Sequence, residues 1–190
     1  MSQKDFLSRL IKKLEEAGIS YMVSGSLGSS LHGEPRATND IDLIIDPTAT
    51  QFTTLIKSLG EDYYVNPETA QKAFQDRSMF NVIDQQTGWK ADLIIRRARP
   101  FSLEEFRRRI LANVLGIQVL AVSPEDAILS KLEWSKKSNS ERQFQDAMGV
   151  AVVQWENLDK EYLRRWAKEL NVEDLLDTIL RNAEELQSNK

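Results

Sequence analysis

Arg36-Ala37-Thr38-Asn39-Asp40-Ile41-Asp42-Leu43-Ile44-Ile45-Asp46 is the stretch on which the fold turns. Its second half is apolar and β-rich and stops at Pro47, which predicts a strand. Strand side chains alternate between faces, so Asp40 and Asp42 point one way while Ile41, Leu43 and Ile45 point the other. Two carboxylates then share a small volume. Such a pair is stable only if exposed, partly protonated or bridged by a cation. Alone, an Asp-X-Asp at a strand start is weak evidence for metal.

Working upstream, Lys4 to Ala17 places Phe6, Leu7, Leu10, Ile11 and Leu14 on one helical face and ends at Gly18. Tyr21-Met22-Val23 reads as a short buried strand. Gly25-Ser26 breaks it before a small-residue segment, Leu27 to Leu31, that can turn helical. Downstream, Gln51 to Leu59 has helical spacing and stops at Gly60. Met79 to Asp84 and Trp89 to Ile95 flank Gln85-Gln86-Thr87-Gly88 as a hairpin. After Arg99-Pro100, Ser102 to Arg109 reads as a short helix and Ile117 to Val122 as one last extended piece.

The character changes at Ser123-Pro124-Glu125-Asp126, where a Ser cap, Pro at the first helical position and acids in the first turn open a helix. Pro124 to Lys136, Ser140 to Gln154, Lys160 to Leu170 and Glu173 to Gln187 all read as helical. The expected architecture is α+β: a mixed sheet with flanking helices over residues 1–122, then a helical C-terminal bundle over 123–190.

Composition narrows the function classes. A 190-residue chain with 41% hydrophobic and 28% charged residues can bury a real core. Its net charge of −4 supplies no global positive field for nucleic acid or an anionic membrane. With no cysteine, disulfides, thiolate zinc sites and a cysteine nucleophile are excluded together. The N-terminus lacks a signal-peptide core and no apolar run is long enough to span a bilayer, so a cytoplasmic protein is expected.

Two further features bear on the acidic pair. Asp92 lies inside Trp89-Lys90-Ala91-Asp92-Leu93-Ile94-Ile95, where an apolar strand would not normally carry a charge. It is either a third carboxylate beside the first two or the partner of an arginine such as Arg96. Three such acids make an all-oxygen site suited to Mg²⁺ or Mn²⁺, which keep waters and bridge phosphates. Gly25-Ser26 is either a plain strand-to-helix turn or a place where backbone amides and a hydroxyl meet a phosphate.

Together, Gly25-Ser26, the stretch Arg36 to Asp42 and Asp92 resemble the DNA polymerase β-like nucleotidyltransferase superfamily, whose pattern is Gly-Ser, Asp-X-Asp and a third Asp on a neighbouring strand. The Arg-X-Thr-X-Asp-Ile-Asp form resembles the branch holding AbiEii-type toxins and uncharacterised bacterial relatives. The resemblance covers Ser20 to Asp92 and extends loosely to Asp146. It implies a nucleotidyltransferase that moves a nucleoside monophosphate from a triphosphate to an acceptor and releases pyrophosphate. Asp40, Asp42 and Asp92 would be catalytic and would hold Mg²⁺ or Mn²⁺. Gly25, Ser26, Arg36, Thr38 and Lys131 would bind the nucleotide, with Arg142 and Asp146 as supports. Read alone, Arg142 and Asp146 are equally a surface ion pair one helical turn apart. The branch also implies a toxin-like role, with RNA or a protein hydroxyl as acceptor and a cognate antitoxin as partner. AbiEii-type toxins usually have a larger helical half than this chain. A catalytically silent binding module and an aminoglycoside-type enzyme are the alternatives.

Other residues carry less. His32 reads as an ordinary hydrogen-bonded or exposed histidine. Arg96, Arg97, Arg99 and Arg107-Arg108-Arg109 are either an acceptor-phosphate patch or a solvated face balanced by Glu104 and Glu105. Trp134, Trp155 and Trp166 read as core, and Asp46 as a turn residue.

Overall fold

The computed structural model describes residues 2–34 and 38–188. The first helix, α1 (Gln3–Glu16), opens with a capping box: the Ser2 hydroxyl accepts from the Asp5 amide and the Asp5 carboxylate accepts from the Ser2 amide. It is followed by β1 (Tyr21–Ser24), α2 (Gly25–His32), β2 (Asp40–Ile45), α3 (Ala49–Leu59), β3 (Tyr63–Tyr64) and α4 (Pro67–Asp76). Then come β4 (Met79–Asp84), β5 (Lys90–Ile95), α5 (Pro100–Arg107), β6 (Ile110–Val114) and β7 (Ile117–Ala121). Helices α6 (Pro124–Ser138), α7 (Glu141–Val153), α8 (Lys160–Leu170) and α9 (Glu173–Ser188) complete the described chain. The residues fall into two compact units, 2–27 with 38–121 and 28–34 with 122–188, and the division lies inside α2.

In the first unit the strands make one mixed sheet in the order β3-β4-β5-β2-β1-β7-β6. The β2–β5 and β1–β7 pairs are parallel and the remaining pairs antiparallel. Alternation decides which face is dry. Ile41, Leu43 and Ile45 of β2 and Ala91, Leu93 and Ile95 of β5 are buried, with Phe80 and Val82 beside them on β4. Phe52 of α3 meets Phe80 edge-on at 5.8 Å and stacks on Phe74 of α4 at 4.6 Å, so α3 and α4 cover this face. A fully buried Leu or Ile contributes about 1.5–3 kcal/mol. These residues therefore fix the register of the strands whose other face carries the acids. The mixed sheet, its flanking helices and the C-terminal helices match the expected fold class.

Three elements went unforeseen. Helix α4 starts with Asn66 capping the Thr69 amide at 2.9 Å and Pro67 at the first turn, the same signature that Ser123-Pro124 displays. Strand β3 is too short to leave a period. Strand β6 pairs with β7 across a tight Leu115-Gly116 turn, and its residues Ile110 and Leu111 are exposed, so no apolar alternation marks it.

One ion pair ties the apolar face together. Asp84, only 1% exposed, is paired with Arg9 of α1 and accepts the Gln86 and Thr87 amides, each at 2.9 Å. Burial alone would raise its carboxyl. The Arg9 and turn hydrogen bonds outweigh burial and hold it below the usual carboxylate range. Asp84→Ala removes the partner of a partly exposed guanidinium and of two amides, and is expected to cost about 1–3 kcal/mol at neutral pH. Because the folded carboxyl titrates lower than the unfolded one, its contribution is complete above about pH 4 and disappears as pH falls through the folded value. Denaturant unfolding of both proteins from pH 7 to pH 3 should show the stability gap closing below about pH 4.

In the second unit Ser123 caps the Asp126 amide, and the fully buried Asp126 carboxylate receives hydroxyls from Ser123 at 2.7 Å and Tyr162 at 2.6 Å. Glu125 accepts the Asp159 amide at 3.1 Å. His32 is buried with Nε2 2.7 Å from the Val122 carbonyl oxygen, and burial lowers its pKa. The tryptophans differ from expectation. Trp134 is 55% exposed, Trp155 lies half-buried under Lys160, whose Nζ is 3.6 Å from the ring centroid, and Trp166 is half-buried beside Tyr162. Smaller apolar side chains such as Leu129, Leu132, Val150 and Leu163 fill this core instead. Among the described residues no helix is long and apolar enough to cross a membrane.

Candidate active site

The sheet brings the acids together through register. In the β2–β5 ladder Asp40 stands opposite Lys90 and Asp42 opposite Asp92. Neighbouring strands lie about 4.8 Å apart, so these four side chains share one small patch of the face opposite Leu43 and Leu93. On the other side of β2, Ser24 is the partner of Asp42; on the other side of β5, Asn81 is the partner of Asp92.

Glycine sets the approach to Asp42. Gly25 opens α2 with φ of +59°, and a Cβ placed on it would lie 1.9 Å from Asp42 Oδ2. No side chain fits there. The helix start is therefore pressed against the carboxylate because residue 25 has no Cβ. Ser26, the next residue of α2, is half-buried.

Lys90 offsets part of the negative charge of the patch. Its Nζ lies 3.3 Å from Asp40 Oδ1 and 3.4 Å from Asp92 Oδ1, and Asn81 Nδ2 donates to the same Asp92 oxygen at 2.6 Å. Burial would lower the Lys90 pKa, but the Asp40 hydrogen bond and the Asp92 charge raise it above the ordinary lysine value. The partner of Asp92 is thus Lys90 and Asn81. Arg96 instead bonds Asp46 at 2.8 Å, with Arg77 4.0 Å away, so Asp46 is an ion-pair acid rather than a plain turn residue.

As they stand, no three acidic or histidine side chains among the described residues converge closely enough to enclose a metal. The donors nonetheless fit a hard divalent ion in type, being carboxylate oxygens. Asp40 and Asp92 already share one cation, the Lys90 ammonium, which shows that the patch accepts positive charge.

The remaining candidates are placed as follows. The Thr38 hydroxyl lies 3.2 Å from the Asp40 carbonyl oxygen and 3.4 Å from its amide, bracing the entry to β2. Arg36 lies outside the described residues. In the second unit Lys131 of α6 donates to Asp146 of α7 at 2.8 Å, with side chains 6% and 12% exposed. Arg142 is exposed at the start of α7. The close pair is therefore Lys131 with Asp146. Of the arginine cluster, Arg107 bonds both oxygens of Glu104 at 2.9 and 2.7 Å, and Arg109 packs over the Phe106 ring. Ser24, Asn81 and Lys90 are the site neighbours that sequence reading passed over. The alternation that pairs Asp40 with Asp42 also pairs Lys90 with Asp92, so Lys90 was within reach of the same reading.

No family model and no curated protein matches the sequence. Solved structures do share its fold. An antigenic nucleotidyltransferase-like protein from Paracoccidioides brasiliensis superposes with a TM-score of 0.65 at 19% identity, over 97% of this chain and 90% of that one. The antibiotic-resistance factor ANT(2'')-Ia gives 0.54 at 11% identity, over 99% and 98%. The lincomycin-bound lincosamide adenylyltransferase LnuA gives 0.54 at 14% identity, over 80% and 98%. The fold is that of nucleotidyltransferases.

Proposed function

We propose that the protein is a metal-dependent nucleotidyltransferase that moves a nucleoside monophosphate from a nucleoside triphosphate to an acceptor hydroxyl. The observation that carries this is the Asp42–Asp92 register pair, with Asp40 on the same face and the Gly25 backbone pressed against Asp42. In this reading the acceptor oxygen bonds to the α-phosphorus, the bond from α-phosphorus to the bridging oxygen breaks, and pyrophosphate leaves. Asp92, its carboxylate oriented by Asn81, takes the hydroxyl proton. The amides at the start of α2 and the Ser26 hydroxyl hold the leaving phosphates. Magnesium or manganese, when held by Asp40, Asp42 and Asp92, would neutralise charge on the triphosphate. Lys131 is assigned to the triphosphate, with Arg142 and Asp146 in support, on the resemblance alone. Arg36 and Thr38 are assigned to the nucleotide on the same ground.

The acceptor favoured by the motif is RNA or a protein hydroxyl, and a toxin-like role with a cognate antitoxin rests on the Arg36-to-Asp42 motif alone. A specific observation favours a second reading, a small-molecule acceptor. Arg107 and Arg96 are engaged by Glu104 and Asp46, which removes charge that an RNA backbone would use. LnuA is a lincosamide antibiotic adenylyltransferase. The test is incubation with Mg²⁺ and each α-labelled triphosphate in the presence of total RNA, total protein or an aminoglycoside and lincosamide panel. Label on RNA or protein supports the first acceptor class and label on a small molecule the second. No label anywhere, with triphosphate still bound, would instead support a silent binding module.

A further inference from the structure

The acidic face contains a cation of its own. Lys90 starts β5 on the same face as Asp92, and its ammonium sits between Asp40 and Asp92, 3.3 and 3.4 Å from one oxygen of each. Its side chain is 36% exposed, so the charge is neither locked in the core nor lost to solvent. Two acids required by the proposed reaction are thereby bridged by the chain itself.

We propose that Lys90 is an internal counter-cation that competes with the divalent ion for Asp40 and Asp92, and that metal enters only as Lys90 swings out. The inference rests on the reading of these acids as the metal site and adds a residue that sets how tightly it loads. Two physical consequences follow from the position. Without metal, Lys90 relieves the repulsion of Asp40, Asp42 and Asp92 across two adjacent strands. With metal, a positive charge within a few ångströms opposes a second one, and leaving costs the ammonium both of its partners. Lys90 thus keeps the face stable before loading and raises the metal concentration at which loading occurs. Its stem is long enough to carry the released charge into solvent or toward a bound phosphate.

The experiment is Mn²⁺ titration of the intact protein without nucleotide, read by electron paramagnetic resonance of free Mn²⁺, for wild type, Lys90→Met and Lys90→Gln. Arg77→Gln is the control. It removes one positive charge from the same unit, but from a side chain that faces Asp46. Lys90→Met and Lys90→Gln should bind Mn²⁺ about tenfold more tightly than wild type. Arg77→Gln should stay within about twofold, since a charge beyond the patch is screened. Without metal both Lys90 variants should melt below wild type, and saturating Mn²⁺ should raise their melting temperature by more than it raises that of wild type. Unchanged or weaker Mn²⁺ binding by the Lys90 variants, with wild type binding normally, overturns the role of Lys90 alone. Absence of Mn²⁺ binding in every protein overturns both this inference and the metal-dependent reading beneath it.

Discussion

Asp42→Asn should reduce nucleotidyl transfer on the order of 10³-fold or more while leaving the protein folded. The substitution keeps the shape of the side chain and removes its charge. Asp42 stands between Ser24 and Asp92 in the sheet, so in the proposed site it has the central position among the acids. Loss of one carboxylate from a metal-bridged triphosphate removes several kcal/mol of charge stabilisation, which sets the expected factor. Stability should move the other way. Asp42 and Asp92 repel across neighbouring strands, and Lys90 bridges Asp92 to Asp40. Removing the Asp42 charge therefore should leave the metal-free melting temperature equal or higher. A marked fall in melting temperature with transfer unchanged would make the acid structural.

Gly25→Ala should cost transfer about 10²-fold through geometry alone. Two separate penalties apply. A non-glycine residue at φ of +59° pays about 1–2 kcal/mol in backbone strain. The new Cβ also meets Asp42 Oδ2 at 1.9 Å, Cγ at 2.4 Å and Cβ at 2.7 Å, so either α2 or the Asp42 side chain must shift. A displacement of about 1 Å in a group that positions reactants is worth about 10²-fold. Gly88→Ala separates the two penalties, because Gly88 has φ of +73° and nothing within 4 Å of an added Cβ. It should lose stability by a similar amount and keep its transfer rate. Equal rate losses in both variants would mean that the Asp42 contact is incidental.

These two residues also mark how far the sequence could be read. Alternation places Asp40 and Asp42 on one face and the apolar residues on the other, and the β2–β5 ladder has that arrangement. That Asp92 stands directly opposite Asp42 is a matter of parallel register, which depends on long-range pairing and leaves no local mark. The contact of Gly25 with Asp42 is hidden for the same reason: β1 pairs antiparallel with β2 and carries the helix start across. Lys90 leaves no mark of its own, since a lysine at the start of a strand reads as a solvated end; only its two-residue spacing from Asp92 puts it on the acidic face. The arginine cluster reads as a patch in sequence, whereas Asp46, just past the end of β2, meets Arg96, just past the end of β5, across a separation of 50 residues. Helix α4 had a readable cap in Asn66-Pro67, and β6 had no apolar period to read.

The most direct test of a metal-dependent nucleotide site is the melting temperature of the wild-type protein with each nucleoside triphosphate, with and without Mg²⁺. Ligand that binds only the folded state raises stability with the logarithm of one plus the ratio of its free concentration to its dissociation constant, about 2.7 kcal/mol at a ratio of about one hundred. The expected result is a rise of several degrees for at least one triphosphate when Mg²⁺ is present. The rise should vanish with EDTA and be absent in Asp42→Asn. A shift of equal size without Mg²⁺, or no shift with any triphosphate in its presence, would contradict the account.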